Sequence, residues 1–267
     1  IILLGFFAIP ATGFILLQNK SIQTFLAGKV ASTVSENLNA EFTVESIDMI
    51  FFNRVVMKNV RVRDQHLDTL LYSPNMIATL KSLNRSAKRI EISRLKLKQS
   101  TVRLATDTTR VINIKFIVDE LKPQPDSNRV KWEIGIHAIE FETSKFIYEN
   151  HYVEDKWEKG IDFSDIVLND MDLDLRDLRV RSDSVLFTVN HLDFIEKSGF
   201  DLKELSGKAV LNKHFMNLRE IHILTDYSNI VTEGLDFRFN IWKDFGNKGF
   251  GSKVKLQFDF LPSILSN

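Results

Sequence analysis

The sequence holds no cysteine. Disulfide scaffolds, cysteine-ligated zinc and thiol nucleophiles are excluded together. Glycine and proline are scarce, 11 and 5 of 267 residues, so a glycine-rich phosphate cradle is not expected. No charge of one sign prevails: 35 Lys and Arg balance 35 Asp and Glu. A neutral chain lacks the global pull toward nucleic acid. Its basic strands carry no aromatic stacking platform, and no nucleic-acid partner is expected. The zinc-protease, nucleophile-elbow, P-loop and dinucleotide fingerprints are all missing.

The side chains able to do chemistry are scattered. His66, His137, His151, His191, His214 and His222 show no helical metal-ligand spacing and read as surface residues. The run Asn169-Asp170-Met171-Asp172-Leu173-Asp174 imitates a calcium loop, but that loop needs Gly at its sixth position. It reads instead as an alternating strand. Carboxylates such as Asp162 and Asp165 are placed by no pattern that would pair them for acid–base work. No catalytic residue, no metal site and no cofactor is expected; the chain does not read as an enzyme.

What is abundant is apolar surface. Phe numbers 21 against 3 Trp and 4 Tyr, and 44% of residues are hydrophobic. Phe fills space without a hydrogen-bonding handle. The run Ile1–Leu17 has no charge and approaches, at ~1.5 Å per residue, the ~30 Å core of a bilayer. It predicts a transmembrane signal anchor over 1–20. The rivals are a cleaved signal peptide, with Ala27-Gly28 the nearest small-residue site, and a buried soluble helix. Ile22, Phe25, Leu26, Val30, Val34 and Leu38 then share one helical face, predicting an amphipathic helix over 21–40. Such a helix lies on headgroups or plugs the end of a β structure.

From Glu41 the period changes to two. Val60-Arg61-Val62-Arg63, Leu95-Lys96-Leu97-Lys98, Leu173-Asp174-Leu175 and Phe237-Arg238-Phe239 alternate apolar with charged. A helical period returns only briefly, at Asn113–Leu121, and Pro123 and Pro125 mark a loop. Ile90–Leu104 superposes on Ile134–Tyr148 at an offset of 44, with Ser100 matching Ser144. Both copies break parity between the second and third apolar residues, and again after Leu97 or Phe141. Such a break marks a bulge or bend, and two matched breaks argue for a repeat whose units stack. The predicted division is a first β unit over 41–122 and continuing units over 123–267. The chain opens inside an apolar run and stops within a strand pattern, as the first portion of something longer would.

Charge is segregated. Arg54–Arg103 holds 12 basic and 3 acidic residues, and Glu149–Asp177 holds 3 and 10. Two solvated faces of opposite sign would explain this; so would a basic part resting near anionic headgroups.

The order of features carries a resemblance. An apolar anchor precedes Gln23-Thr24-Phe25-Leu26-Ala27. Val60-Arg61-Val62-Arg63-Asp64 is followed by Asp68-Thr69-Leu70-Leu71, then the Ile90–Leu104 unit and Asn113-Ile114-Lys115-Phe116-Ile117. Lys197-Ser198-Gly199-Phe200, Leu205-Ser206-Gly207-Lys208 and Leu218-Arg219-Glu220-Ile221-His222-Ile223 complete the series. Over nearly its whole length the chain resembles the N-terminal part of the TamB/AsmA-like envelope proteins. The resemblance implies a mainly β fold: a transmembrane and an amphipathic helix, then an elongated, curled, repeat-built antiparallel sheet with an apolar inner groove. It implies anchoring in the cell inner membrane, a body in the periplasm, and phospholipid carried toward the outer membrane. It implies an outer-membrane barrel protein as a partner of a region beyond this sequence, and no catalytic residues.

The candidate groove lining is Ile90, Ile92, Leu95, Leu97, Ile134, Ile136, Ile139 and Phe141. A sheet with one apolar face packs on another layer, closes on itself or meets a ligand. The rival readings are a closed core for these residues, an assembly factor for outer-membrane or secreted proteins acting by strand addition, and a β scaffold without cargo.

Overall fold

The computed structural model describes residues 32, 35, 40–50, 53–84, 86, 89–117, 133–152, 160–180, 184–212, 214–238, 255–260 and 264–265. The alternating sequence becomes strands β1 (Glu41–Thr43), β2 (Ser46–Ile50), β3 (Arg54–Arg63), β4 (Thr69–Asn84), β5 (Arg89–Lys98), β6 (Thr101–Thr106), β7 (Glu133–Ile136), β8 (Ala138–Asn150), β9 (Asp165–Val180), β10 (Ser184–Glu196), β11 (Asp201–Asn212), β12 (Phe215–Thr225), β13 (Ser228–Arg238), β14 (Lys255–Phe260) and β15 (Ile264–Leu265). All belong to one sheet, in the order β1-β3-β4-β5-β8-β9-β10-β11-β12-β13-β14, and no described strand lies outside it. The predicted anchor over 1–20 lies outside the described residues. So does the helix over 21–40, apart from Ser32, Ser35 and Ala40.

The sheet is mixed, which corrects the antiparallel expectation. Most neighbours are antiparallel, but β5 pairs β7 and β8 in parallel, and β6 pairs β8 in parallel. The cause is the repeat itself. Ile90 pairs Ile134, Leu95 pairs Ile139, Leu97 pairs Phe141 and Val102 pairs Phe146, all at the offset of 44 seen in the sequence. Two copies related by translation run the same way when they lie side by side. The return from β6 to β7 therefore needs a crossover. Its described part makes a short helical turn at 115–117, where Lys115 and Ile117 donate to the carbonyls of Ile112 and Ile114.

The parity break after Leu97 or Phe141 falls at a left-handed residue. Gln99 (φ 50°) and Thr143 (φ 47°) occupy matched positions in the two copies, and Asn59 (φ 50°) and Asp170 (φ 50°) continue the line on β3 and β9. Pro74 stands opposite Asn59 in β4, between the pairs Lys58–Asn75 and Val60–Ser73; proline has no N–H to lose in such a gap. The second break falls at Ser93, where the β4–β5 register shifts, and at its counterpart His137, between β7 and β8. Each break flips parity within its strand, so the apolar side chains on either side of it keep one face.

The charged segments meet across the parallel join. Arg94 reaches Glu140 at 3.0 Å, Lys96 and Lys98 reach Glu142 at 2.5 and 3.0 Å, and Arg103 reaches Glu149 at 2.6 Å. The two lysines hold the Glu142 carboxyl below its ordinary range. Each exposed pair is worth little, but together they fit the basic copy against the acidic one.

Three turns at one end of the strands share a design. In Asp64–Asp68, Asp107–Val111 and Glu196–Phe200 the first N–H donates to the fifth carbonyl, at 2.9, 3.0 and 2.8 Å. The fourth residue is left-handed: Leu67, Arg110 and Gly199. The first carboxylate accepts from the N–H two residues on, at His66, Thr109 and Ser198. Glu196 is 1% exposed. Burial pushes its carboxyl up, but hydrogen bonds from Ser198 and from the Val167 N–H outweigh that and hold it below the usual glutamate value. A lowered folded value means that this stabilisation is complete above the unfolded glutamate pKa of ~4.3 and is lost as pH falls through the folded value. Thermal melts from neutral pH down to about pH 3 are expected to show a steeper acid decline for the native chain than for Glu196→Gln. Parallel curves would contradict that assignment.

Candidate functional site

Residues paired across strands share a face, so the register lists the rows of side chains that cross the sheet. One row runs Val55, Ala78, Leu95, Ile139, Leu175, Val189 from β3 to β10. The next runs Ile47, Met57, Met76, Leu97, Phe141, Leu173, Leu192 from β2 to β10. Val189 then meets Gly207 on β11; separate apolar rows start lower on β10 and run Phe187, Ala209, Leu218, Leu235 and Val185, Leu211, Met216, Phe237 to β13. Every position in these rows is apolar. The opposite face carries the ion pairs and a cleft of about 350 Å³ lined by Asn53, Arg54, Ile77, Thr79, Arg94, Lys96 and Glu140.

The predicted lining residues come together as four side-by-side pairs. Leu95–Ile139 and Leu97–Phe141 fall in the two long rows, and Ile92–Ile136 and Ile90–Ile134 lie nearer the start of β5. Leu97 is 2% exposed, inside a cluster with Ile47, Met57, Val60, Met76 and Ala78. Ile92, Leu95, Ile139 and Phe141 pack against that cluster and stay half-buried. Ile90 and Ile136 are also half-buried. Ile134 is placed by register alone, its side chain lying outside the described ones.

Clustered burial is confined to one end of the sheet, although Met171, Leu202, Ala209 and Ile221 are buried singly on β9 to β12. A second cluster, Ala40, Val62 and Leu70, is covered by Ile114, Phe116 and Ile117 of the crossover. Both clusters draw on strands up to β8 and on that crossover. From β9 to β13, Leu173, Leu175, Phe187, Val189, Leu192, Leu218, Leu235 and Phe237 are all half-buried. An apolar residue sealed between two layers loses nearly all its exposure; these do not.

The bulge line is held by a buried hydroxyl chain. The Ser100 hydroxyl donates to the Ser73 hydroxyl at 2.8 Å, and the Ser100 N–H donates to the Ser144 hydroxyl at 3.1 Å. All three serines are at most 2% exposed. Thr143 N–H donates to the Asp172 carboxylate at 2.7 Å, and Asp174 takes Arg176 at 2.6 Å. The acids of the calcium-like run therefore belong to strand β9 and its neighbours. Among the described residues no group of three His, Asp or Glu is placed to hold a metal ion.

The rows on β9 to β13 were not among the sequence candidates. Their signal was present in Leu173-Asp174-Leu175 and Phe237-Arg238-Phe239, but only the register shows which of these positions align.

No family model matches the chain, and no curated protein matches it. Among the described residues no helix is long and apolar enough to cross a membrane.

Proposed function

We propose that the apolar face of the sheet carries phospholipid, its acyl chains lying along the rows and its headgroups staying wet. The observation that supports this reading is the set of apolar rows on one face, two crossing β3 to β10 and two crossing β10 to β13, with most side chains of the latter only half-buried, on a sheet with no described second layer. Each methylene moved from water onto such a face gains about 0.8 kcal/mol. A continuous stripe suffices for that gain; no shaped pocket is needed. Part of the same proposal is an inner-membrane anchor over 1–20 and a periplasmic body delivering lipid toward the outer membrane, as the resemblance to TamB/AsmA-like proteins implies.

Mass spectrometry of lipid extracted from the purified chain tests the reading. Phospholipid is expected with the native protein. Phe187→Asp combined with Leu218→Asp is expected to lose most of it while keeping the native circular-dichroism spectrum. A lipid-free native protein would refute carriage. A co-purifying polypeptide in its place would favour strand-addition assembly work.

A further inference from the structure

The β3–β4, β10–β11 and β12–β13 turns, the ends of β6 and β8 and the start of β9 all lie at one end of the strands. Each of these segments presents one large apolar side chain to solvent: Leu67, Phe200, Tyr227, Val111, Tyr152 and Phe163 in turn. They are six of the eight large apolar side chains exposed among the described residues, and Phe163, Tyr227 and Leu67 are 70%, 68% and 65% exposed. In the turns of shared design the fourth residue is left-handed, a conformation that glycine adopts freely. The β10–β11 turn has Gly199 there, but the β3–β4 turn has Leu67 at φ 67°. A leucine is costly in that conformation, and an exposed one gains nothing from the core. Folding therefore explains neither the residue nor its exposure.

The polar groups of this end are mixed. Asp64, Asp162 and Glu196 are at most 9% exposed and accept backbone N–H groups. Arg110 lies over the Tyr152 ring, 3.7 Å from its centroid, and exposed Lys197 reaches Asp165 at 2.6 Å. Asp68 and Asp226 are exposed as well. The property common to the tips is apolar character, not charge.

We infer that this end is a membrane-docking edge whose apolar tips enter the headgroup layer of a lipid bilayer. The inference goes beyond lipid carriage and does not depend on it. At ~4.8 Å between neighbouring strands, the tips from β3 to β13 form a line about 40 Å long and one side chain wide. A protein partner of standard size covers ~800 Å² through 20–30 residues around a packed centre, which six separated tips do not supply. A bilayer requires no such fit, because each inserted side chain adds its own buried area. Tyrosine rings and long cationic side chains suit the headgroup level, keeping a polar tip wet above an apolar stem. Half-buried pairs, Phe146 with Leu168 and Tyr148 with Ile166, lead from the left-handed positions Thr143 and Asp170 toward the tips Tyr152 and Phe163. Apolar surface thus continues from the sheet to its docking edge.

Because the chain has no cysteine, one introduced thiol carries a nitrobenzoxadiazole dye at a single chosen place. The full chain is labelled through Phe163→Cys, Tyr227→Cys or Lys58→Cys, the last exposed in mid-strand, and mixed with phosphatidylcholine vesicles. The dyes at positions 163 and 227 are expected to brighten and shift to the blue, and the dye at 58 to stay unchanged. Adding Leu67→Asn and Phe200→Ser to the Phe163→Cys chain is expected to raise the lipid concentration needed for this response at least about tenfold, as withdrawal of two inserted apolar side chains requires. Phe187→Asp with Leu218→Asp, which removes carriage, is expected to leave the response at 163 intact. Silence at 163 and 227, or an equal shift at 58, overturns docking while carriage stands. Loss of the response in the Phe187 and Leu218 variant means that the dye senses lipid held on the sheet, and it overturns docking too.

Discussion

Leu97→Ala is expected to destabilise the protein by about 2–5 kcal/mol, the range for emptying a sealed leucine site. Leu97 is 2% exposed and enclosed by Ile47, Met57, Val60, Met76 and Ala78; strands on both sides of β5 would have to shift to fill the void. Phe187→Ala and Leu218→Ala, on the same face but half-buried, should each cost about 1 kcal/mol, in proportion to the smaller area withdrawn from water. Urea unfolding midpoints give the comparison. If Phe187 and Leu218 prove as costly as Leu97, then the β10–β12 part of the face is covered in solution, and it cannot be the open surface that carriage requires. The contrast also divides the sheet physically. The end built on β2 to β8 holds a clustered core, while most apolar row residues at the far end are half-buried.

Ser144→Ala is the second large effect, about 1–3 kcal/mol. The hydroxyl of Ser144 is the partner of the Ser100 N–H, and removing it strands a buried donor, the costly way to lose a hydrogen bond. Ser73→Ala should cost about 1 kcal/mol or less, because the Ser100 hydroxyl also reaches the Lys98 carbonyl at 3.2 Å. Equal losses for the two variants would mean that the bulge line does not depend on this chain of hydroxyls. A double-mutant cycle would then isolate whatever coupling remains.

Much of this architecture could be read before the coordinates. The offset of 44, the match of Ser100 with Ser144 and the paired parity breaks became register, hydrogen bond and bulge. The parallel sense was missed because alternation looks the same in either direction, and antiparallel neighbours are commoner. The rows beyond β8 were hidden for a related reason. Asp170, Asp177 and Glu220 break parity on β9 and β12 without a repeat to flag them, so the apolar set of each strand is plain but its alignment is not.

The translated pair of copies also bears on assembly order. Within β9 to β13 only a few residues separate each strand from the next, so that meander can zip up from local encounters. The join of β5 and β6 to β8 brings together segments 44 residues apart, and closing a loop of that length costs entropy before any contact repays it. The expected order is two leaves formed locally, with the parallel seam, its serines and its lysine–glutamate pairs closing last.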